Sequence, residues 1–138
     1  IDGQKIWKTP TTLVLELFTK YHKGEILKTS VSSPTFSSPA LGKKPVYKNN
    51  KLIDASATYD QNQVCLSIVN KSEKESLIVS IPQHKKIIAN YLVNGSSPTD
   101  LNDKKNLHKI TIKKDQLECG EDFVEIPPHS FSLILMKV

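Results

Sequence analysis

The stretch "LIDASATYDQNQVCLSIVNKSEKESLIVSIP", residues 52–82, decides the fold class. It contains three extended segments joined by two polar turns, and the predicted strands are residues 52–59, 64–70 and 76–82. The first strand alternates, so that Ile53, Ala55 and Ala57 share one face. The second is rich in β-branched side chains, which favour extended backbone. Short polar connections join antiparallel neighbours, and the stretch therefore predicts an antiparallel sheet rather than a βαβ unit.

The same two-residue period continues on both sides of this stretch. Further strands are predicted at residues 25–32, 86–94, 108–114, 122–128 and 130–138. A Ser/Pro-rich segment, residues 32–45, is predicted to be a loop, because proline donates no hydrogen bond to a sheet. A second polar loop follows at residues 95–106. Eight short strands joined by polar turns predict a mainly β protein with an antiparallel, jelly-roll-like β-sandwich.

One helix is predicted ahead of the strands, at residues 11–23. Leu13, Leu17 and Tyr21 recur at helical spacing and form an apolar stripe. The expected boundary residues are a capping Thr9, a first-turn Pro10 and an exit Gly24. The sandwich is therefore expected to be preceded by a single N-terminal α-helix.

The closing stretch "EIPPHSFSLILMKV", residues 125–138, raises the question of a hydrolytic site. His129 and Ser130 could supply a base and a nucleophile, but adjacent residues in a strand point to opposite faces. The structural interpretation is that the prolines end one strand, His129 fills a turn and Ser130 begins the last strand. Apolar residues on both sides of that strand predict that both of its faces are covered, one by the opposite sheet and one by another element.

The remaining histidines, glutamates and aromatic residues do not form a pattern that predicts a functional site. The four histidines, His22, His84, His108 and His129, have no metal-ligand spacing. Two groups of glutamates, 73 and 75, then 118, 121 and 125, lie in turns or at strand ends beside lysines and are interpreted as solvated charges. The aromatic residues that could stack on sugars are Trp7 and Tyr47, while Tyr59 and Tyr91 are expected in the core. No catalytic, substrate-binding or metal-binding residue and no cofactor is predicted.

Charge and hydropathy narrow the classes of partner. The net charge is +5, and all 19 basic residues are lysines spread along the chain, which argues against nucleic-acid binding. No apolar stretch has the length needed to cross a bilayer, so no membrane partner is expected. Cys65 lies in an apolar run and Cys119 in a turn-like stretch, and the sequence leaves open whether they are bonded. The sequence also does not indicate the cellular compartment of the protein.

Four landmarks resemble the C-terminal region of the α-L-arabinofuranosidases of glycoside hydrolase family 51, in order and in spacing. They are "DGQKIWKTPTTLVLELFTKYHKGEIL" (2–27), "LIDASATYDQNQVCLSIVNKS" (52–72), "NYLVNGSSPTDLND" (90–103) and "IPPHSFSLILMKV" (126–138). The chain departs from the family pattern at residues 99–102, "TDLN", where Ala-x-Asn or Ala-Glu-Asn is common.

This resemblance implies a parent enzyme that removes terminal α-L-arabinofuranosyl groups from arabinose-containing polysaccharides with retention. Two glutamates on an upstream (β/α)8 barrel would act as acid/base and nucleophile, about 5–5.5 Å apart. Residues 1–24 would be the end of that barrel, and residues 25–138 a non-catalytic sandwich that braces it. Without the barrel, the helix is expected to fold onto the sandwich, pair with a second copy or fray.

The resemblance also implies a sandwich edge that the parent's N-terminal segment completes, and a homo-oligomer is a further expectation. Two alternatives stay open. The chain could be an independent carbohydrate-binding module, or the accessory sandwich of another barrel glycosidase such as a xylanase or glucosylceramidase relative.

Overall fold

The computed structural model describes residue 3, residues 5–82 and residues 85–138. Within these residues the chain forms one helix, α1 (Pro10–Tyr21), and ten strands. The strands are β1 (Glu25–Leu27), β2 (Thr35–Ser38), β3 (Tyr47–Lys51), β4 (Ile53–Asp60), β5 (Gln63–Asn70), β6 (Leu77–Ser80), β7 (Lys86–Val93), β8 (Lys113–Lys114), β9 (Phe123–Ile126) and β10 (Ser130–Lys137).

Six strands form the main sheet, in the order β1-β4-β5-β10-β7-β8, and all the pairings are antiparallel. The last strand, β10, lies in the middle of the sheet between β5 and β7. Ile134, for example, lies opposite Leu66 on β5 and Asn90 on β7. The C-terminal stretch therefore completes the sheet, and its backbone groups are paired on both sides.

One face of the main sheet packs against a second, two-stranded sheet made of β6 and β9. Ile134 and Met136 of β10 point to this side and contact Val124 and Ile126 of β9 in one apolar cluster. Val124, Ile126 and Ile134 have no exposed surface. These two layers are the predicted sandwich, and the mainly β fold class with antiparallel sheets and an N-terminal helix is confirmed.

The other face of the main sheet is covered by α1. Leu13 and Leu17 of the helix contact Leu133 and Leu135 of β10, and Phe131 belongs to the same cluster. Residue by residue, β10 thus alternates between the β6-β9 side and the helix side. The prediction that both faces of this strand are covered by different elements is confirmed.

The ends of α1 follow their sequence signals. The Thr9 side chain accepts a hydrogen bond from the backbone N–H of Thr12 at 3.2 Å, and Pro10 stands in the first turn. The helix ends at Tyr21, two residues earlier than predicted. Gly24 then turns the chain into β1 at a φ of +74°, where an added Cβ would lie 2.2 Å from the Tyr59 carbonyl oxygen. Only glycine satisfies both conditions.

The loop predicted at residues 32–45 is wrong in part, because it contains a strand. β2 pairs with β3, a strand that the sequence did not indicate, and the two form a separate two-stranded sheet. Pro34 and Pro39 flank β2 rather than interrupt it, so its hydrogen-bonding groups are intact. A two-stranded ribbon has only edge strands and tolerates prolines at its ends.

Two predicted strands are too long. Of residues 108–114 only 113–114 pair with a neighbour, because the side chain of Asn102 bonds both the N–H and the carbonyl of Ile110. Of residues 25–32 only 25–27 pair with β4, and beyond them the Thr29 hydroxyl donates to the Ala55 carbonyl oxygen at 3.3 Å. In both places a side chain takes the place of a backbone partner. The other predicted strands differ from the observed ones by a few residues at their ends.

Candidate functional site

His129 and Ser130 do not contact each other through their side chains in the way that a base and a nucleophile would. The Ser130 hydroxyl donates to the Pro127 carbonyl oxygen at 2.7 Å and is buried. The two ring nitrogens of His129 lie 3.0 Å from the carbonyl oxygen of Glu73 and 3.1 Å from that of Gly95. His129 therefore connects two loops, as a turn residue at a φ of +38°.

A cleft of about 440 Å³ lies beside this turn, between the first turn of α1 and the ends of β5 and β7. Its lining is mainly apolar and includes Val14, Val69, Val93 and Phe131, with His129 at one side. The ring nitrogens of His129 are occupied by the loop carbonyls, so the cleft offers no free base from that residue.

The loop at residues 95–106 is held by two polar side chains in the segment that departs from the family pattern. One oxygen of Asp100 accepts from the backbone N–H groups of Ser96 and Ser97, and the other accepts from Lys109 at 2.7 Å. The hydrogen bonds from Lys109 and Ser96 lower the pKa of Asp100 to about 2. Buried Asn102 donates to the carbonyl oxygens of Lys8 and Ile110, both at 2.8 Å.

A second buried asparagine holds the closing turn. Asn70, which is 1% exposed, ends β5. Its amide nitrogen donates to the carbonyl oxygens of Glu75, Ile126 and Pro127, and its oxygen accepts from the backbone N–H of Ser72. This role of Asn70 was not predicted, and the available signal for it was the Asn-Lys-Ser sequence at a strand end.

Two side chains, those of Tyr21 and His22, join the end of α1 to the sheet through polar contacts. The ring of His22 stacks on Phe18 with 4.0 Å between ring centroids, and its nitrogens contact the hydroxyls of Ser67 and Thr58. Burial lowers the pKa of His22. The hydroxyls of Tyr21 and Tyr91 share a hydrogen bond of 2.6 Å, and burial together with that bond raises the pKa of Tyr91 to about 12.

The glutamates do not converge on a cleft. Glu73, Glu75, Glu118 and Glu121 are exposed, and Glu125 is half-buried opposite Ile78 of β6. Within the described ranges no group of three or more His, Cys, Asp and Glu side chains could hold a metal ion. His84 lies outside the described residues, and His108 is exposed.

The aromatic candidates are separated in the fold. Trp7 is half-buried and lines a cleft of about 360 Å³ with Leu107 and His108, whereas Tyr47 is 52% exposed on β3. Tyr59 packs against the cluster on the β6-β9 side and Tyr91 against the one on the helix side, as predicted.

The two cysteines are both free. Cys65 is buried under α1 and belongs to the helix-side cluster, and burial raises its pKa to about 12. Cys119 is exposed and lies 3.9 Å from the amide nitrogen of Asn90. In the part of the chain that the structure describes, no helix is long and apolar enough to cross a bilayer.

The sequence of residues 1–130 matches the family described as the α-L-arabinofuranosidase C-terminal domain. The chain belongs to this family. The predicted resemblance is thereby confirmed, and the arabinofuranosidase C-terminal domain accounts for almost all of the chain. No protein among the curated sequences matches.

Solved structures share the fold of this C-terminal domain. An α-L-arabinofuranosidase from Thermotoga maritima, in complex with arabinose, superposes with a TM-score of 0.80 at 21% identity over 96% of this chain and 30% of that chain. A family 51 α-L-arabinofuranosidase from Bifidobacterium longum gives 0.79 at 18% identity over 96% of this chain and 25% of that chain. This chain therefore spans less than a third of the length of these two enzymes.

A glycoside hydrolase family 30 xylanase from Clostridium acetobutylicum shares the fold less closely. Its TM-score is 0.52 at 14% identity, over 94% of this chain and 28% of that chain. The arabinofuranosidase C-terminal domain is thus similar in fold to part of another glycosidase, but its sequence family is that of the arabinofuranosidases.

Proposed function

We propose that this chain is the non-catalytic C-terminal domain of an α-L-arabinofuranosidase that acts on arabinose-containing polysaccharides. Residues 1–24 would then be the last part of an upstream catalytic barrel, and residues 25–138 the sandwich that braces it. The family match supports the proposal over residues 1–130, and arabinofuranosidases more than three times as long contain the same fold.

The observation that carries the bracing role is that α1 has two apolar sides. Leu13 and Leu17 are buried against the sheet, whereas Leu15 is 57% exposed and Phe18 is 37% exposed. A surface helix of an isolated domain normally carries one apolar stripe. The outer side suits a second packing partner, and we propose that this partner is the barrel.

Hydrolysis by this chain alone is not part of the proposal. Retention requires two carboxyl groups about 5–5.5 Å apart, one of them with a raised pKa. Here the glutamates outside the helix lie on turns or strands without a shared cleft. We therefore assign the acid/base and the nucleophile to the barrel, and no residue of this chain receives a catalytic role.

The β6 edge is a second contact with the longer polypeptide. Within the described residues β6 pairs only with β9, and its other edge borders a cleft of about 610 Å³. Ile53, Ile68, Leu77 and Val79 line this cleft. We propose that an N-terminal segment of the parent adds a strand here, and that in its absence the edge pairs with a second copy to form a homo-oligomer.

The test places one substitution, Leu15→Asp, in two proteins. In the 138-residue chain the thermal midpoint should change little, because Leu15 is exposed and makes few contacts there. In the longer polypeptide the same change would bury a charge at the barrel contact and should lower the thermal midpoint.

The matched control is Lys23→Asp, an exposed polar position just beyond the helix, which should be tolerated in both proteins. Equal tolerance of Leu15→Asp in both proteins would contradict the bracing role.

A further inference from the structure

The two-stranded ribbon, residues 35–51, is the part of the chain that the sandwich does not use. It comprises β2, β3 and the connection between them, and forms its own sheet beside the main one. All its residues except Ser38 and Asn50 are exposed. Among them are four large apolar or aromatic side chains, Phe36, Leu41, Val46 and Tyr47, which are 37%, 77%, 50% and 52% exposed.

Backbone hydrogen bonds nevertheless hold the ribbon at its tip and at its base. At its tip Leu41 and Lys44 exchange backbone hydrogen bonds of 3.2 and 3.0 Å across a turn in which Gly42 has a φ of +58°. At its base the N–H of Leu52 donates to the carbonyl oxygen of Pro34 at 2.9 Å. Side chains on the ribbon are thus presented on paired backbone rather than on an irregular loop.

The two aromatic rings lie on the same face of the ribbon. Phe36 is opposite Asn50 and Ser38 is opposite Tyr47, and the register shifts between these two pairs because β3 has one extra residue there. Residues two apart on a strand share a face, as do directly opposite residues. The extra residue belongs to β3, so the two-residue period of β2 still places Phe36 on the face that Ser38 shares with Tyr47. Flat rings in this arrangement offer a surface for successive sugar rings, whose C–H faces are apolar.

The charge of the ribbon has one sign. Lys43, Lys44, Lys48 and Lys51 lie within residues 35–51, and this segment has no Asp or Glu. The next basic residue, Lys71, approaches the same face, with its amine 6.0 Å from the centroid of the Phe36 ring and 2.9 Å from a carboxylate oxygen of Asp54. The amine of Lys51 donates to the carbonyl oxygen of Val31, and the other three ribbon lysines form no ion pair with the described acidic residues.

We infer that this ribbon is a carbohydrate-binding site for an acidic polysaccharide, with Phe36 and Tyr47 stacked on sugar rings and the ribbon lysines paired with uronate carboxylates. Charge complementarity decides the class of ligand, because a neutral glycan would leave the lysines unused. The site would hold the protein on an acidic polymer. It does not depend on the proposed bracing role, because none of its residues belongs to α1 or to the β6 edge.

Binding is measured on the 138-residue chain with three polymers in parallel: polygalacturonate, neutral linear arabinan and polyglutamate. Polygalacturonate has both sugar rings and carboxylates, and the other two each lack one of these. The expected result is saturable binding of polygalacturonate, at least about tenfold tighter than that of either control and weakened by added salt.

Variants separate the two contributions. Tyr47→Ala should weaken polygalacturonate binding about tenfold through lost stacking. The double change Lys43→Gln with Lys44→Gln should weaken it and remove most of the salt dependence. The matched control is Lys105→Gln, an exposed lysine in the 95–106 loop, which should change neither property.

Three results would overturn the inference: no binding of polygalacturonate, equal binding of polyglutamate with no effect of Tyr47→Ala, or equal binding of neutral arabinan. Thermal midpoints of the variants should match that of the unmodified chain, because the substituted side chains are exposed. The outcome is separate from that of Leu15→Asp, which should leave polysaccharide binding unchanged.

Discussion

At the scale of single residues, buried polar side chains hold the loops of this domain. Asn70 and Asn102 each bond backbone groups from two or more segments, and Asp100 arranges the turn at Ser96 and Ser97. Ser132 is the contrasting case. Its buried hydroxyl, on the strand at the centre of the sheet, has no hydrogen-bond partner among the described residues. A buried polar group that is hydrogen-bonded thus stabilises the folded domain, whereas one without a partner destabilises it.

The first prediction concerns Ser132. Replacing it with alanine removes an unpaired buried hydroxyl and should raise the free energy of unfolding by about 1 kcal/mol, measured by urea denaturation. Ser130→Ala is the control, because that hydroxyl donates to the Pro127 carbonyl oxygen at 2.7 Å and its loss should cost about 1 kcal/mol. A loss of stability in Ser132→Ala as large as that in Ser130→Ala would show that the hydroxyl is paired.

The second prediction concerns Asn70. Asn70→Ala would leave three carbonyl oxygens and the N–H of Ser72 without their partner, and should lower the free energy of unfolding by about 3 kcal/mol or more. Exposed Asn106→Ala serves as the comparison and should change it by less than about 0.5 kcal/mol. Chemical denaturation of both variants measures the difference, and similar values would mean that the Asn70 network contributes nothing.

The third prediction concerns acid and Asp100. Its pKa of about 2 in the folded chain is below the ordinary 3.8, so the charged form is favoured by folding. The resulting stability is present above about pH 4 and is lost as the pH falls from about 4 to about 2. Asp100→Asn should therefore be less stable than the unmodified chain near neutral pH, and the difference should shrink over that window. Urea denaturation at several pH values tests this, and a difference independent of pH would contradict it.

At the scale of elements, alternation and helical spacing predicted most of the architecture. The apolar residues of β10 sit on two faces because two different elements cover them, and both the period of the strand and the absence of a polar face were visible in the sequence. The helix was equally readable, since Thr9, Pro10 and Gly24 mark its ends. What the sequence could not show is where a side chain replaces a backbone partner.

The predicted strands at residues 25–32 and 108–114 were too long because side chains there replace backbone hydrogen-bond partners. Residues 108–114 alternate as a strand would. However, the side-chain amide of Asn102, which lies outside this segment, forms hydrogen bonds with both the N–H and the carbonyl of Ile110. The ribbon was not predicted because its composition argues against a strand, although its backbone is paired. Its serines and prolines discourage a central strand, and only the pairing of β2 with β3 makes it extended. Of the candidate surfaces, the exposure of Tyr47 was anticipated, but its shared face with Phe36 depends on that pairing.

The fourth prediction concerns how α1 is held. Leu17, 3% exposed, faces the sheet, and Leu17→Ala should lower the free energy of unfolding by about 3 kcal/mol. Leu15→Ala alters the outer side of the same helix and should cost less than about 0.5 kcal/mol. Limited proteolysis within residues 5–24 should be faster only for Leu17→Ala. Equal effects of the two changes would mean that the helix does not rest on the sheet in solution.

At the scale of the whole molecule, the two faces of the main sheet are covered by different elements. One side is closed by the β6-β9 sheet into a sandwich core, and the other is closed by a helix that still presents Leu15 and Phe18 outward. Both faces of the main sheet are therefore covered within this chain, and the outer side of α1 is the surface to which we assign the barrel contact. Among the described residues, His22 contacts the hydroxyl of buried Ser67, and His129 and Ser130 contact backbone carbonyl oxygens.

The fifth prediction tests the central claim, that this chain contributes architecture and no bond cleavage. The purified 138-residue chain is incubated with an aryl α-L-arabinofuranoside, and release of the aryl alcohol is followed against buffer. The account predicts a rate indistinguishable from that of buffer, because no two glutamates of the described residues line the same one of the clefts found between them. Sustained turnover by the chain, abolished by replacing one of its own glutamates, would contradict it.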